Sequence, residues 1–318
     1  MSWKRTILLL LVLVGIAGFY YFKVHGPHSI KTVISFSPEP ANAFILSLNE
    51  RESVNSIVLH DLSKNTEISL HKVGKHDWRM RKPVDYPAES VIVDGFVSLL
   101  KLTPRVRQFS LDKLNEKEFG FDHPYLSICI STNLWSKERC LLVGSQAAIV
   151  AGSYAKWDDE SQYFLVDHNF LKAFDKSVYG LRKKQIFTLL DLEINSVSLK
   201  SPQKQFEIKR SGKSWTLAKP IEVALSEDAV NELLVQLNSL YVKEFLDNER
   251  WDNSKFGLKP STRLIRITFR DGSEQTLIQG REAAGKDAYY ALSKEQNTVL
   301  LISLKKFNQV EEAFQKLT

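Results

Sequence analysis

Histidine, carboxylate and cysteine are the side chains of this chain with the widest chemistry, so their spacing is the first test of function. The seven histidines, His25, His28, His60, His71, His76, His123 and His168, form no His-Glu-x-x-His pattern and no group with cysteine. His25 and His28 stand three apart, but in a polar, proline-bearing segment without further ligands. Asp158-Asp159-Glu160 gathers three carboxylates; adjacent residues cannot all face one ion unaided, so a solvated hairpin loop is the expectation. No Gly-x-Ser-x-Gly elbow, Walker loop or dinucleotide fingerprint follows an expected strand. The sequence thus implies no catalytic residue, no metal and no cofactor. Any reactive site is expected in a cleft between two repeats or in an irregular loop such as Asn248 to Lys255.

Cys129 and Cys140 are the two cysteines of the chain. Matching the apolar faces of the strands around them sets Leu126 opposite Val143 and Ile128 opposite Leu141, which brings Cys129 to face Cys140. Opposed Cβ atoms of neighbouring strands lie about 4.5 to 5.5 Å apart, close enough for a cross-strand disulfide after modest adjustment. Two free thiols are the other outcome.

The elements that carry these residues occur twice. Trp78-Arg79-Met80-Arg81-Lys82-Pro83 returns as Trp215-Thr216-Leu217-Ala218-Lys219-Pro220, and Val54 to Leu59 upstream of the first returns as Ile194 to Leu199 upstream of the second. This is an internal duplication. Trp78 and Trp215 have the surface to stack on a ligand, but a large ring in a small domain is first a core anchor. In the first copy, alternation at Ile57, Leu59, Ile68 and Leu70 predicts half-buried strands, and Ala88-Glu89-Ser90 opens a helix carrying Val91, Phe96, Leu99, Leu100 and Leu102. A Phe119-Gly120 turn, a strand ending in Gly144, a strand with Tyr154-Ala155 and a short helix, Asn169 to Phe174, complete it. The second copy answers with Ser226 opening a helix that bears Val230, Leu233, Leu234, Leu237 and Leu240, then Phe256-Gly257, Gly280 and Tyr290-Ala291. Arg270-Asp271-Gly272-Ser273 predicts a hairpin turn with two positive φ values. Trp78, Pro83, Gly120, Gly144 and Tyr154, with Trp215, Pro220, Gly257, Gly280 and Tyr290, are therefore read as structural positions.

Thr6 to Phe22 is an uncharged run of seventeen residues, at the short limit for a membrane-spanning helix, with Lys4-Arg5 before it and Trp3 and Tyr20-Tyr21 at its ends. It predicts a single anchor in inner-membrane lipid, N-terminus in the cytoplasm and the bulk in the periplasm or extracytoplasmic space; a cleaved signal peptide is the alternative. Removing Met1 to Phe22 takes the formal charge from +6 to +4, and Lys and Arg are scattered, the run Arg182-Lys183-Lys184 included. A solvated surface and no nucleic-acid partner follow.

The order of features, an anchor and then twice a Trp-to-Pro element, a helix, a Phe-Gly turn, an apolar-Gly strand end and a Tyr-Ala strand, resembles the bacterial domain of unknown function 4340. The resemblance covers nearly all of the chain beyond residue 44. This sequence departs in having Phe119 and Phe256 where Tyr is common, and Gln279 before the glycine. Members resemble membrane-anchored envelope proteins, many encoded beside ABC-type transport systems, and the resemblance implies that setting with no established catalytic residue. The expected architecture is α+β: an anchor over residues 1–22, a linker over 23–43, and repeat domains over 44–187 and 188–318, each a mainly antiparallel sheet with a covering helix. The expected function is an extracytoplasmic accessory or scaffold of an envelope complex with a protein partner, such as a transporter subunit. A hydrolase acting on an envelope polymer between the repeats is the alternative.

Overall fold

A computed structural model describes residues 43–110, 116–147, 152–189, 193–252, 254–259 and 263–318. The expected membrane anchor, the tether up to residue 42 with His25 and His28, and Pro260 lie outside the described residues. Among the described residues no helix is long and apolar enough to cross a membrane.

The chain forms two nine-stranded sheets in which every pairing is antiparallel. The first contains β1 (Val54–Asp61), β2 (Thr66–Lys72), β3 (Trp78–Lys82), β4 (Tyr86–Pro87), β5 (Val106–Ser110), β6 (Leu126–Thr132), β7 (Arg139–Gln146), β8 (Gly152–Trp157) and β9 (Gln162–Asp167), in the order β4-β3-β2-β1-β6-β7-β8-β9-β5. Helix α1 (Ser90–Leu102) joins β4 to β5; α2 (His168–Phe174) and α3 (Val178–Leu181) follow β9. The second sheet repeats this order with β10 (Ile194–Lys200), β11 (Gln205–Ser211), β12 (Ser214–Lys219), β13 (Val223–Leu225), β14 (Val242–Phe245), β15 (Arg263–Phe269), β16 (Glu274–Ala283), β17 (Ala288–Ser293) and β18 (Thr298–Ser303). Helix α4 (Glu227–Asn238) precedes β14, and α5 (Leu304–Gln315) follows β18. The result is an α+β fold dominated by strands.

Alternation decides which face of each sheet is buried. Ile57, Leu59, Ile128, Ile130, Leu141 and Val143 turn inward in the first sheet, where Val93, Phe96 and Leu100 of α1 cover them together with Phe170 and Phe174 of α2. In the second, Val197, Leu199, Ile265, Ile267 and Leu277 meet Val230, Leu233 and Leu237 of α4 and Phe307, Val310 and Phe314 of α5. Each such side chain contributes about 1.5 to 3 kcal/mol on burial, so covering helices and sheet depend on one another. Helix α4 starts where its sequence says, because the Ser226 hydroxyl accepts from Ala229 N at 3.3 Å.

Three expectations need correction. Val91 and Leu102, assigned to the covering face of α1, are 80% and 71% exposed; the buried set Val93, Phe96, Leu100 follows i, i+3, i+7, which rotates both away. The Arg270–Ser273 hairpin turns with one left-handed residue, Gly272 (φ 82), and Asp271 instead accepts from Ser273 N at 2.9 Å. Phe187, assigned to the first repeat, packs in the second core. Residues 184–186 bond to 240–242 (Ile186 N to Leu240 O, Val242 N to Lys184 O) as residues 43–45 bond to 103–105 (Ile45 N to Thr103 O, Arg105 N to Ala43 O).

Candidate functional site

The motifs shared by the copies meet at one place in each sheet. A 3-10 turn, Glu116–Phe119, sits over β7, and its counterpart Ser254–Phe256 sits over β16. Gly144 lies directly under the Phe119 carbonyl and Gly280 under that of Phe256, so closely that a Cβ at either glycine would overlap the oxygen. The turns reach this position because Gly120 (φ 75) and Gly257 (φ 65) take left-handed backbone. Both strands bulge beside the glycine, between Val143 and Gln146 and between Gln279 and Glu282. The aromatic rings close the contact edge-on, Phe119 to Tyr154 at 4.7 Å and Phe256 to Tyr290 at 4.9 Å. Gly120, Gly144, Tyr154, Gly257, Gly280 and Tyr290 are thus one recurring clamp. In the first copy the clamp is also ionic: Lys156 Nζ donates to Glu116 Oε1 at 2.6 Å, and that bond holds the Glu116 carboxyl below the usual range.

Trp78 and Trp215 lie in the cores at 2% and 4% exposure. The Trp78 indole N–H donates to Asp94 Oδ1 of α1 at 2.7 Å, and its backbone N–H donates to Ser90 Oγ at 3.0 Å. One residue thereby ties strand β3 to the first two turns of α1. Arg210 lies over the Trp215 ring at 4.8 Å. Pro83 and Pro220 both follow cis peptide bonds just after these strands.

Cys129 and Cys140 face each other across β6 and β7 in the register Leu126↔Val143, Ile128↔Leu141, Cys129↔Cys140, and their sulfurs are bonded. Glu138 lies close to both sulfurs, but bonded sulfurs offer a metal no thiolate. The acidic cluster beyond them forms the β8–β9 hairpin turn, with Asp158 and Asp159 exposed, and its carboxylates also bond neighbouring groups. Asp158 Oδ1 accepts from Cys140 N at 3.0 Å, Asp159 pairs with Arg139 at 2.7 Å, and Glu160 bonds both Arg105 and Arg139. The described histidines stay apart: His71 meets Ser69, His60 stands 3.9 Å from Glu67, and His123 is exposed beside Asp122.

Between the copies lies a feature the sequence reading missed. Arg182, whose place beside Lys183 and Lys184 predicts a solvated side chain, is 2% exposed. Its Nη1 donates to Asp247 Oδ1 at 2.8 Å and Oδ2 at 2.7 Å, and its guanidinium carbon stands 4.3 Å from the Tyr86 ring centre and 3.5 Å from that of Phe245. Tyr86 belongs to the first sheet, Asp247 and Phe245 to the second copy. Burial pushes the Tyr86 hydroxyl up to about 12, so it is protonated at neutral pH and unsuited to act as a base. Lys183 N donates to Pro87 O, on the β4 edge, while Val242 N donates to Lys184 O, so the connector is stitched to both sheets.

A polar cavity of about 300 Å³ opens beside this junction, lined by Tyr86, Lys183, Gln185, Ser273, Glu274 and Glu295 among others. Its acids serve the scaffold: Glu295 accepts from Thr276 N at 2.8 Å, and Glu274 stands 3.6 Å from Arg266. The Ser273 hydroxyl donates to Asp271 within its own turn at 2.6 Å, and no histidine lines the cavity.

No solved structure matches the chain. The chain is 23% identical over 189 residues to the isoleucine-tRNA ligase of Ureaplasma parvum serovar 3, a stretch equal to 57% of this chain and 19% of that enzyme. The chain thus spans about a fifth of the length of the curated relative it matches. The family model described as "Domain of unknown function (DUF4340)" matches residues 78–251 and again 215–317, each segment opening on a core tryptophan, Trp78 or Trp215. With three quarters of the sequence inside those two segments, the chain belongs to the DUF4340 family.

Proposed function

We propose that the chain is a membrane-anchored extracytoplasmic accessory or scaffold protein of an envelope complex, offering its paired sheets to a partner protein, in this reading a transporter subunit. The observation that carries the reading is what the duplicated residues do. Trp, Gly, Phe and Tyr recur to seat a turn on a strand and to fill cores, while the acids of the inter-copy cavity bond scaffold groups. A shape has been kept twice. The pair of buried Arg182 with partly exposed Asp247 supports a fixed arrangement of the two copies, as a presented surface requires. The uncharged run Thr6 to Phe22 after Lys4-Arg5 supports an anchor with the bulk outside the cytoplasm, and the Cys129–Cys140 bridge supports an oxidising compartment.

Tagged full-length chain, crosslinked in native membranes, should capture a transporter subunit. Capture should survive Glu274→Gln or His71→Ala and be lost when residues 188–318 are deleted. A reporter active only outside the cytoplasm should work when fused after Thr318. Turnover of an envelope polymer by the purified protein, abolished by one polar substitution that leaves it folded, overturns the scaffold reading.

A further inference from the structure

The two copies differ most after their last strands. Asp167 and Ser303 cap the equivalent helices α2 and α5, accepting from Phe170 N and Lys306 N. Helix α5 runs for twelve residues, whereas α2 stops after seven, because the chain turns off through Ser177 into α3 and the connector. In the second copy the additional turns of α5 cover the sheet where Leu199 pairs with Phe206: the Phe314 ring lies 6.0 Å from Phe206, Glu311 pairs with Arg263 at 3.1 Å, and Leu317 is buried.

The first copy has the same sheet position, Leu59 paired with Ile68 and buried like its counterpart, but among the described residues no helix as long as α5 follows its last strand. A groove of about 700 Å³ remains there, with Leu59, Ile68, Leu126, Leu171, Phe174 and Val178 as its apolar lining. Asp61, Ser63, Thr66 and Tyr125 form its polar edge. Lys64 pairs with Asp61 at 3.0 Å and Asp175 at 2.7 Å, fixing the β1–β2 turn to the end of α2 and so the width of the mouth. Lys172 and Lys176, also on the groove, make no ion pair among the described residues.

We propose that this groove docks an amphipathic helix of a partner protein, with an aromatic residue followed three positions later by leucine and with acidic residues on its flank. The second copy supplies the template: its own helix seats Phe314 and Leu317 at the equivalent position, with Glu311 and Glu312 just before them. Groove size and apolar lining with a charged rim suit a helix face, and the unpaired Lys172 and Lys176 suit its acids. The inference rests on the scaffold reading and names the surface that reading requires.

The probe is a peptide of residues 304–318, held helical by a lactam on its polar face and labelled for fluorescence anisotropy against the full chain. Saturable binding is expected, weakened about tenfold or more by Thr66→Trp, which fills the groove from an exposed lining position, and about threefold by Lys172→Glu with Lys176→Glu. A photo-crosslinker on the peptide should label β1, β2 or α2. Absent binding, binding indifferent to Thr66→Trp, or labelling confined to β10 and β11 overturns the proposal. So does a fluorescent dodecanoyl probe that Thr66→Trp excludes and the peptide does not displace, which makes the groove an acyl site. Self-association abolished by Thr66→Trp likewise overturns it, in favour of a second copy of this chain. If the peptide fails while crosslinked membranes still deliver the transporter subunit, the groove assignment alone is lost; loss of that capture sinks the scaffold reading itself.

Discussion

Replacing Gly144 by alanine tests whether the recurring glycines are there to admit a backbone carbonyl. A Cβ at this position would overlap the Phe119 carbonyl oxygen and stand 3.1 Å from its carbon and 3.2 Å from the Gly120 carbonyl carbon. All three are backbone atoms, so no side-chain rotation relieves the crowding. Regaining ordinary contact with the oxygen requires the 3-10 turn to retreat by about 1 Å or more. That turn is held by Gly120 N to Lys117 O (3.2 Å), Phe121 N to Glu116 O (3.2 Å), the edge contact of Phe119 on Tyr154 and the Lys156–Glu116 bond. Overpacking a held site costs about 1 to 3 kcal/mol, and four restraints place this one near the upper end. A loss of about 3 kcal/mol corresponds to roughly 6 to 12 °C in the melting temperature of a unit this size. Gly280→Ala should behave alike, since its Cβ would overlap the Phe256 carbonyl oxygen.

The control is the same substitution at Gly95, an exposed position in α1 with nothing within 4 Å of an added Cβ. There alanine should stabilise by about 0.5 to 1 kcal/mol through helix propensity. Urea unfolding and calorimetry read both, and hydrogen exchange should show Gly144→Ala loosening amides 117–121 before the rest of the first sheet. If Gly144→Ala cost no more than Gly95→Ala, the close seating of turn on strand would not be what the glycine is for.

Trp78→Ala and Trp215→Ala should each cost about 3 to 5 kcal/mol in urea melts, whereas an equally stable variant that had lost partner capture would move the ring to a binding site. Reducing the bridge, or replacing Cys129 and Cys140 together by serine, should remove about 3 kcal/mol for a closed loop of 11 residues and leave the second copy's transition where it was; intact mass with alkylation verifies the bridge. The Glu116 carboxyl is held low by Lys156, so the pair stabilises the fold above the unfolded value of 4.5 and ceases to do so as pH falls through the lower folded value. Lys156→Met should therefore flatten the loss of stability on acidification, by about 1 kcal/mol or less because Glu116 is half exposed. An acid limb unchanged in the variant would count against the pairing.

The strand register around the cysteines was legible because two inward-facing series, Leu126-Ile128 and Leu141-Val143, admit one match that buries both. The order of the repeated motifs was legible too, though not its reason: a glycine in a strand signals a close approach without saying whose backbone approaches. Arg182 was misread for a definite physical cause. Beside Lys183 and Lys184 it looks like part of a solvated run, and its burial depends on Tyr86, Phe245 and Asp247, which lie 96, 63 and 65 positions away. Spacing within a segment carries no record of such partners. The groove was invisible for a related reason, since it is made by a helix that ends early and not by any residue type.

A duplicated unit starts with two equal surfaces, so whatever distinguishes the copies is where a specific role can reside. Position for position, Cys129 and Cys140 of the first copy correspond to the Arg266–Thr276 pair of the second, and only the first copy is cross-linked. The first is also the copy whose closing helix is short. Helix α5 and the residues after it bury Phe307, Val310, Ala313, Phe314 and Leu317, while α2 buries Phe170 and Phe174. The first core makes up for these positions elsewhere, with Trp157 buried where the second copy has Ser293 and with Leu181, so the two cores bury equal numbers of apolar side chains. The bridge therefore adds its contribution of about 3 kcal/mol to a core as well filled as its neighbour. It does so across β6 and β7 without adding a side chain over the sheet, whereas the second copy carries that cover in α5. The two copies are thus stabilised by different means, the first with Trp157 and a cross-link and the second with a longer closing helix, and the cavity beside α2 is one consequence of that difference.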